Sequence, residues 1–289
     1  MNDFTNNPAD NFDADRFHVE TPEETAARVS SRQLENMAVD MQGRDQAILQ
    51  TLRSCRYMTT GQVADFGFAD HANPSAAQRA ANRTMNRLRE MGLTSTLDRR
   101  IGGVRAGSSS LVWGLTNPGF RLANLGQDNP VRLRNFEPSQ QFLKHTLGVS
   151  GLYTQLLGLP GITVVDAQFE PSCWRSYDNN ATLKPDLYAV TSDGVYEDYW
   201  FLELDLATEA PSRVMDKCGQ YEAYYNTGTE QKNIGLFPAV AWIVPDEKRR
   251  TALKNHIGQN AELRHKELFT VILPDELEAL MRKGAGGVI

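Results

Sequence analysis

The sequence predicts an α/β protein in two parts: a basic, mostly helical α+β segment, then an acidic segment in which helices alternate with strands. Three observations carry this reading. The formal net charge is -6, yet residues 45–135 hold 12 Arg and no Lys against 6 acids, a local +6, between flanks of -5 (residues 1–44) and -7 (residues 136–289). Periodicity gives the second observation, because residues 139–289 run as helix, three strands, helix, strand, helix, strand, helix, which makes a small α/β layer. The third is the stretch 126–138, where Gly126, Asp128, Pro130 and Pro138 interrupt every pattern. A chain of 289 residues with 40% hydrophobic content can fill two cores. The expected division is a polar acidic tail over 1–20, a lead-in helix and basic α+β unit over 21–125, a linker over 126–138 and an α/β domain over 139–289.

In the first part Thr21-Pro22-Glu23-Glu24 reads as a capped helix start running to about Met41, and Asp45 opens a short segment with Ile48, Leu49 and Leu52 on one face. A Thr in Tyr57-Met58-Thr59-Thr60 caps a second short helix. A third runs from about Ser75 to Met91 and stops at Gly92. On that helix Ala77, Ala81, Met85 and Leu88 share one face, and Arg79, Arg83, Asn86 and Glu90 share the other. Strand Leu93–Leu97, a Gly- and Arg-bearing loop and a return strand from Ser110 to Leu115 follow. An arginine-faced third helix followed by such a hairpin is the winged-helix arrangement, with the helix placed for the major groove and the wing on the backbone. The expected DNA contacts are Arg79, Arg83, Asn86, Arg87, Arg99, Arg100 and Arg105. Arg suits this task because its planar fork meets phosphate or guanine with two hydrogen bonds. The plain alternatives are a solvated charged surface and a protein-binding winged helix. Trp113 reads as packing inside the wing.

In the second part a helix from Ser139 carries Phe142, Leu143, Leu147, Leu152 and Leu156; strands follow at 162–169, 183–190 and 195–206. A helix from Pro211 through Tyr225, a strand over 237–244, a helix over 246–256, a strand over 268–273 and a last helix over 274–283 complete it. Asp186 follows Pro185 near the start of the second strand, and Glu203-Leu204-Asp205 lies near the end of the third. Residues two apart in a strand leave the same face, so Asp186, Glu203 and Asp205 are expected to converge. Such a cluster of oxygens suits Mg²⁺ or Mn²⁺, which could activate water for phosphodiester cleavage.

These residues resemble the PD-(D/E)xK nuclease superfamily over roughly 139–245, with Asp205 where the family lysine would stand. The resemblance implies a restriction-endonuclease-like αβββαβ domain whose lysine comes from Lys217 on the following helix or from Lys184. Gln220, four before Tyr224, is similar to the Gln-xxx-Tyr motif of exonuclease-like members. Taken with the winged helix, "LKPDLYAV", "FLELDLATE" and the Lys-xx-Gln-Tyr-xx-Tyr-Tyr helix resemble the replication-relaxation family of plasmids and mobile elements, which includes MOB-C relaxases. The implied function is recognition of origin or transfer-site DNA with metal-dependent nicking, through Asp186, Glu203, Asp205, Lys217 and Gln220, the first three as metal ligands. Double-stranded DNA is the expected partner, with relaxosome or replication proteins of the same element and a second copy of the chain as further candidates. A non-catalytic accessory protein on a decayed nuclease fold and a winged-helix transcriptional regulator remain as alternatives.

Other classes are disfavoured. His18, His71, His145, His256 and His265 are scattered singly, unlike a histidine-cluster relaxase, and GxxxxGK[ST] is missing. Cys55, Cys173 and Cys218 form no CxxC pair and read as reduced thiols. With no long apolar run and an acidic N-terminus, a cytoplasmic protein without membrane contact is expected.

Overall fold

The structure is a computed structural model and describes residues 29–97, 101–102, 109–126, 137–178 and 181–287. The expected tail over 1–20, the helix start at Thr21, most of the linker and the wing residues Arg99, Arg100 and Arg105 lie outside these residues.

Helix α1 (Ser31–Asp40) starts at Ser30, whose hydroxyl accepts from the Gln33 N–H while Gln33 answers to the Ser30 N–H. Helix α2 (Gly43–Cys55) follows and buries Ile48, Leu49 and Leu52, the face read from the sequence. A short strand β1 (Tyr57–Thr59) leads into α3 (Thr60–Gly67), where Thr59 and Gln62 form a second capping box. Helix α4 (Pro74–Glu90) is capped by Asn73 and buries Ala77, Ala80, Ala81, Met85 and Leu88. Strands β2 (Thr94–Thr96), β3 (Ile101–Gly102), β4 (Ser109–Ser110) and β5 (Val112–Leu115) come next. β1, β5 and β2 form one small antiparallel sheet, and β3 pairs with β4 beyond it. Trp113 is fully buried and donates its indole N–H to Thr60 Oγ1 at 2.9 Å, so it packs the sheet onto α3. Helix α5 (Asn117–Ala123) closes this part, and a Cβ on its Gly119 would stand 1.8 Å from the Leu93 carbonyl oxygen.

Helix α6 (Gln140–Leu157) begins at the Ser139 cap and runs against β1 and α3. Gln62 donates to the Leu147 carbonyl at 2.6 Å and Ser150 to the Tyr57 carbonyl at 2.8 Å. Apolar packing is continuous across this contact, from Leu34, Leu49 and Met85 through Val149 and Leu152 to Leu202 and Met281. The described residues on either side of 126–138 therefore share a core.

The main sheet holds β6 (Thr163–Phe169), β9 (Leu187–Ser192), β10 (Glu197–Leu204), β11 (Ala239–Ile243) and β12 (Phe269–Ile272), in the order β12-β11-β10-β9-β6. β6, β9 and β10 are antiparallel neighbours, and β10, β11 and β12 run parallel. Parallel neighbours need crossovers. These are α7 (Pro211–Asn226) with the short α8 (Thr229–Ile234), then α9 (Glu247–Gln259), while α10 (Leu277–Lys283) and a single 3-10 turn (Ala285–Gly287) end the described chain. α7 and α9 pack on the face carrying Phe201, Val240 and Trp242; α6 and α10 pack on the face carrying Trp200, Leu202 and Ala241.

Beyond an α1 that begins only after the extended Ser30 cap and a return strand divided into β4 and β5, two elements of the second part differ from the sequence reading. The strand expected from Leu183 is split, because Pro185 has no N–H for a ladder. Its first residues become β8 (Ala181–Leu183), paired with β7 (Arg175–Tyr177) in a hairpin outside the main sheet. The other is α8, a polar stretch that reads as loop and is delimited by Gly228 and Gly235 at φ 67° and 85°.

Candidate functional site

Register alone gathers the acidic residues. Leu187 pairs with Leu202 on one side and with Phe169 on the other, so the next residues outward, Asp186, Glu203 and Glu170, reach the same end of the sheet from three adjacent strands. Asp186 and Glu203 are buried, Glu203 with 0% exposure. Buried carboxylates need partners, and every oxygen of this pair has one. Lys217 Nζ, one and a half turns into α7, lies 2.5 Å from Glu203 Oε2 and 3.5 Å from Asp186 Oδ1. Tyr221, one turn further along α7, donates its hydroxyl to Glu203 Oε1 at 2.5 Å. Asp186 Oδ2 accepts the Leu204 N–H at 2.8 Å and faces His145 Nε2 of α6 at 3.1 Å.

The electrostatics follow from these contacts. Burial raises the Glu203 carboxyl to about 8 against the opposing pull of Lys217. Burial would also raise Asp186, but Lys217 first, then His145 and the Leu204 N–H, hold it well below the usual carboxylate range. Lys217 is held above the ordinary ammonium range: Glu203 and Asp186 outweigh the burial that would lower it. The hydrogen bond to Asp186 raises His145, and burial raises Glu170. A small pocket opens here, lined by His145, Glu170 and Asp186 and by Arg56, the residue that caps the end of α2. The site therefore sits where the two parts of the chain meet.

Of the residues expected in one cluster, the structure brings together Asp186, Glu203 and Lys217. Asp205 is not among them. The ladder of β10 ends at Leu204, and Asp205 instead accepts Arg249 Nε at 2.5 Å and the Ala207 N–H at 2.8 Å, tying the strand end to α9. Among the described residues no group of three or more His, Cys, Asp or Glu is gathered as a metal would need. Gln220 is exposed on α7, since the residue one turn after Lys217 on the buried face is Tyr221. Lys184 is exposed and stacks over Trp174, 4.8 Å from the ring centre, which leaves Lys217 as the lysine at the carboxylates. Tyr221, His145 and Glu170 are not among the site residues expected from the sequence. The Lys217-to-Tyr221 spacing of one turn was the available signal for the first.

On α4, Arg79 and Arg83 are exposed. Asn86 bonds back to the Asn82 carbonyl at 2.9 Å, and Arg87 pairs with the buried Asp45 at 2.7 Å, so both have structural partners within the fold. Cys55, Cys173 and Cys218 are free and buried, and no described helix is long and apolar enough to cross a membrane.

Neither a curated protein nor a solved structure matches the chain. A family model described as replication-relaxation matches residues 49–240, from within α2 into β11, and so takes in α4, the small sheet and all of the Asp186–Glu203–Lys217 cluster. The match spans most of the chain and includes the residues on which the site is built, so the protein belongs to the replication-relaxation family, which points to a role in plasmid or mobile-element replication or relaxation.

Proposed function

We propose that the protein recognises origin or transfer-site DNA of a plasmid or mobile element and cleaves one of its strands at the Asp186–Glu203–Lys217 site. In this reading residues 45–115 are a winged helix, residues 139–289 are a restriction-endonuclease-like domain, and α4 with its exposed Arg79 and Arg83 enters the major groove. The observation that carries it is the ammonium of Lys217, delivered from a helix onto two buried carboxylates of neighbouring strands. A half-buried lysine and two buried acids at a strand end cost stability, and such arrangements cluster at functional sites.

Asp186 Oδ1 and Glu203 Oε2 both face one cationic point, and Mg²⁺ is commonly held by one or two carboxylates completed by water and substrate phosphate. These two residues fit such an ion if Lys217 turns toward the substrate; Asp205 does not contribute. When bound, the ion supplies charge neutralisation and an activated water. The chain's own groups do the remainder. Lys217 stabilises the charge that develops on the phosphoryl oxygens, Tyr221 fixes the Glu203 carboxyl, and His145 with the Leu204 N–H fixes that of Asp186.

The test is incubation of supercoiled plasmid from the cognate element with Mg²⁺ or Mn²⁺. Wild type is expected to give relaxed product. Glu203→Gln and Asp186→Asn are expected to abolish it with duplex affinity nearly unchanged. A wild type that binds but never nicks, even with the element's partner proteins, overturns the nuclease reading. The second reading, a non-catalytic origin-binding protein, is favoured by the closed network itself, in which all four oxygens already have protein donors.

A further inference from the structure

Beside the candidate site lies a surface that the cleavage reading does not use. Trp174, in the turn before β7, is 36% exposed, whereas Trp113, Trp200 and Trp242 are 0%, 0% and 4% exposed. Its indole N–H points at Glu170 Oε1 at 3.4 Å, and Glu170 lines the pocket with Asp186. Lys184, two residues before Asp186, places its ammonium 4.8 Å from the centre of the same ring.

Arg56 lines the same pocket as Glu170. Its guanidinium lies over the Phe142 ring at 5.6 Å and makes no ion pair among the described residues. Its backbone is held at φ 68°, a conformation that non-glycine residues rarely adopt and that concentrates at functional positions.

From these contacts we infer that the mouth of the site holds one unpaired nucleotide of the DNA, its base stacked on Trp174 and its phosphate on Arg56. This rests on the DNA-processing reading above. The physical case is that Asp186, Glu203 and Glu170 repel a phosphate, so the approach needs cations, and Arg56 lines the pocket while Lys184 stands against Trp174. Lys184 covers one face of the Trp174 ring, so the base stacks on the other, and every base has a π-face that does so whatever the sequence. Bases inside a continuous duplex have both faces covered by their neighbours. The platform therefore selects a single strand or a base turned out of the helix.

All four tryptophans emit, but Trp113, Trp200 and Trp242 are shielded by burial from contact with a bound base, so quenching that depends on the base and is lost in Trp174→Phe reports on Trp174. The full-length protein is titrated with a short oligothymidylate without divalent cation, while binding of labelled cognate duplex is followed separately by polarisation. Wild-type emission is expected to be quenched by oligothymidylate and by duplex with a central unpaired bulge, and much less by uninterrupted duplex. Quenching by the bulged duplex alone would assign the platform to an extruded base; quenching by both would assign it to single strands as well. Trp174→Phe should bind with little quenching. Trp174→Ala should weaken oligothymidylate binding about 5- to 150-fold, the range for losing one base–aromatic stack. Arg56→Ala should lower the salt slope by about 0.7, one phosphate contact on a single strand. Oligothymidylate and bulged duplex both bound without quenching, or both bound with equal affinity by wild type and Trp174→Ala, overturns the inference and leaves the DNA reading intact. Absence of binding to any DNA overturns both.

Discussion

Replacing Lys217 by Met removes the ammonium that stands 2.5 Å from Glu203 and 3.5 Å from Asp186. Stranding a buried charge in this way costs about 3–5 kcal/mol when the charge has no outlet. Here it has one, because burial raises Glu203 to about 8 against the pull of Lys217, so a carboxylate that has lost Lys217 can take up a proton at neutral pH. The loss at neutral pH is then one charge-assisted hydrogen bond and a longer attraction to Asp186, about 1.5–3 kcal/mol. The pH dependence follows from the direction of the shift. A carboxyl raised in the folded state contributes stability that is complete below its unfolded value of 4.5 and lost as pH climbs through about 8. Without Lys217, which holds the carboxyl down, the folded value moves higher still. The wild type stops losing stability above that point, while the variant continues to lose about 1.4 kcal/mol per pH unit. Urea denaturation of Lys217→Met at about pH 7 and about pH 9 should therefore show a destabilisation that grows with pH, and adding Glu203→Gln should remove the growth. A destabilisation under about 0.5 kcal/mol, or one independent of pH in both backgrounds, would refute the argument that Lys217 and Glu203 titrate as a buried pair.

Three further outcomes are expected. Replacing Arg79 and Arg83 together by Ala should weaken duplex binding and lower the salt slope by up to about 1.8, two contacts' worth, in polarisation titrations at several salt concentrations. Gly119→Ala places a Cβ 1.8 Å from the Leu93 carbonyl oxygen, a backbone atom that already accepts the Thr116 N–H, so thermal denaturation should show a loss of more than about 2 kcal/mol. Burial raises Cys55, Cys173 and Cys218 to about 12, so native protein at mildly alkaline pH should resist a thiol reagent that labels all three at once in urea.

Much of this architecture is legible in residue order because it rests on local rules. The apolar spacing of Ala77, Ala81, Met85 and Leu88 sets the buried face of α4, and caps such as Asn73 and Ser139 set where helices begin. The strand order helix, three strands, helix, strand followed from patterns of alternation, and Asp186 and Glu203 stood out as acids in or beside apolar runs. What depends on distant partners was not legible. Whether Asp205 joins the carboxylates turns on Arg249 of α9, 44 positions away, and period-two logic ceases to hold once the ladder stops at Leu204. The choice between Lys184 and Lys217 was open on spacing alone, and it is made by the side of the sheet on which α7 packs and by Trp174 holding the other lysine. Likewise the apolar continuity across residues 126–138 comes from α6 lying against β1 and α3, a contact between segments more than 80 positions apart that leaves no periodic trace in either. Burial, charge pairing and the closing of a pocket are properties of surfaces brought together, and a linear pattern records only the surface each segment brings.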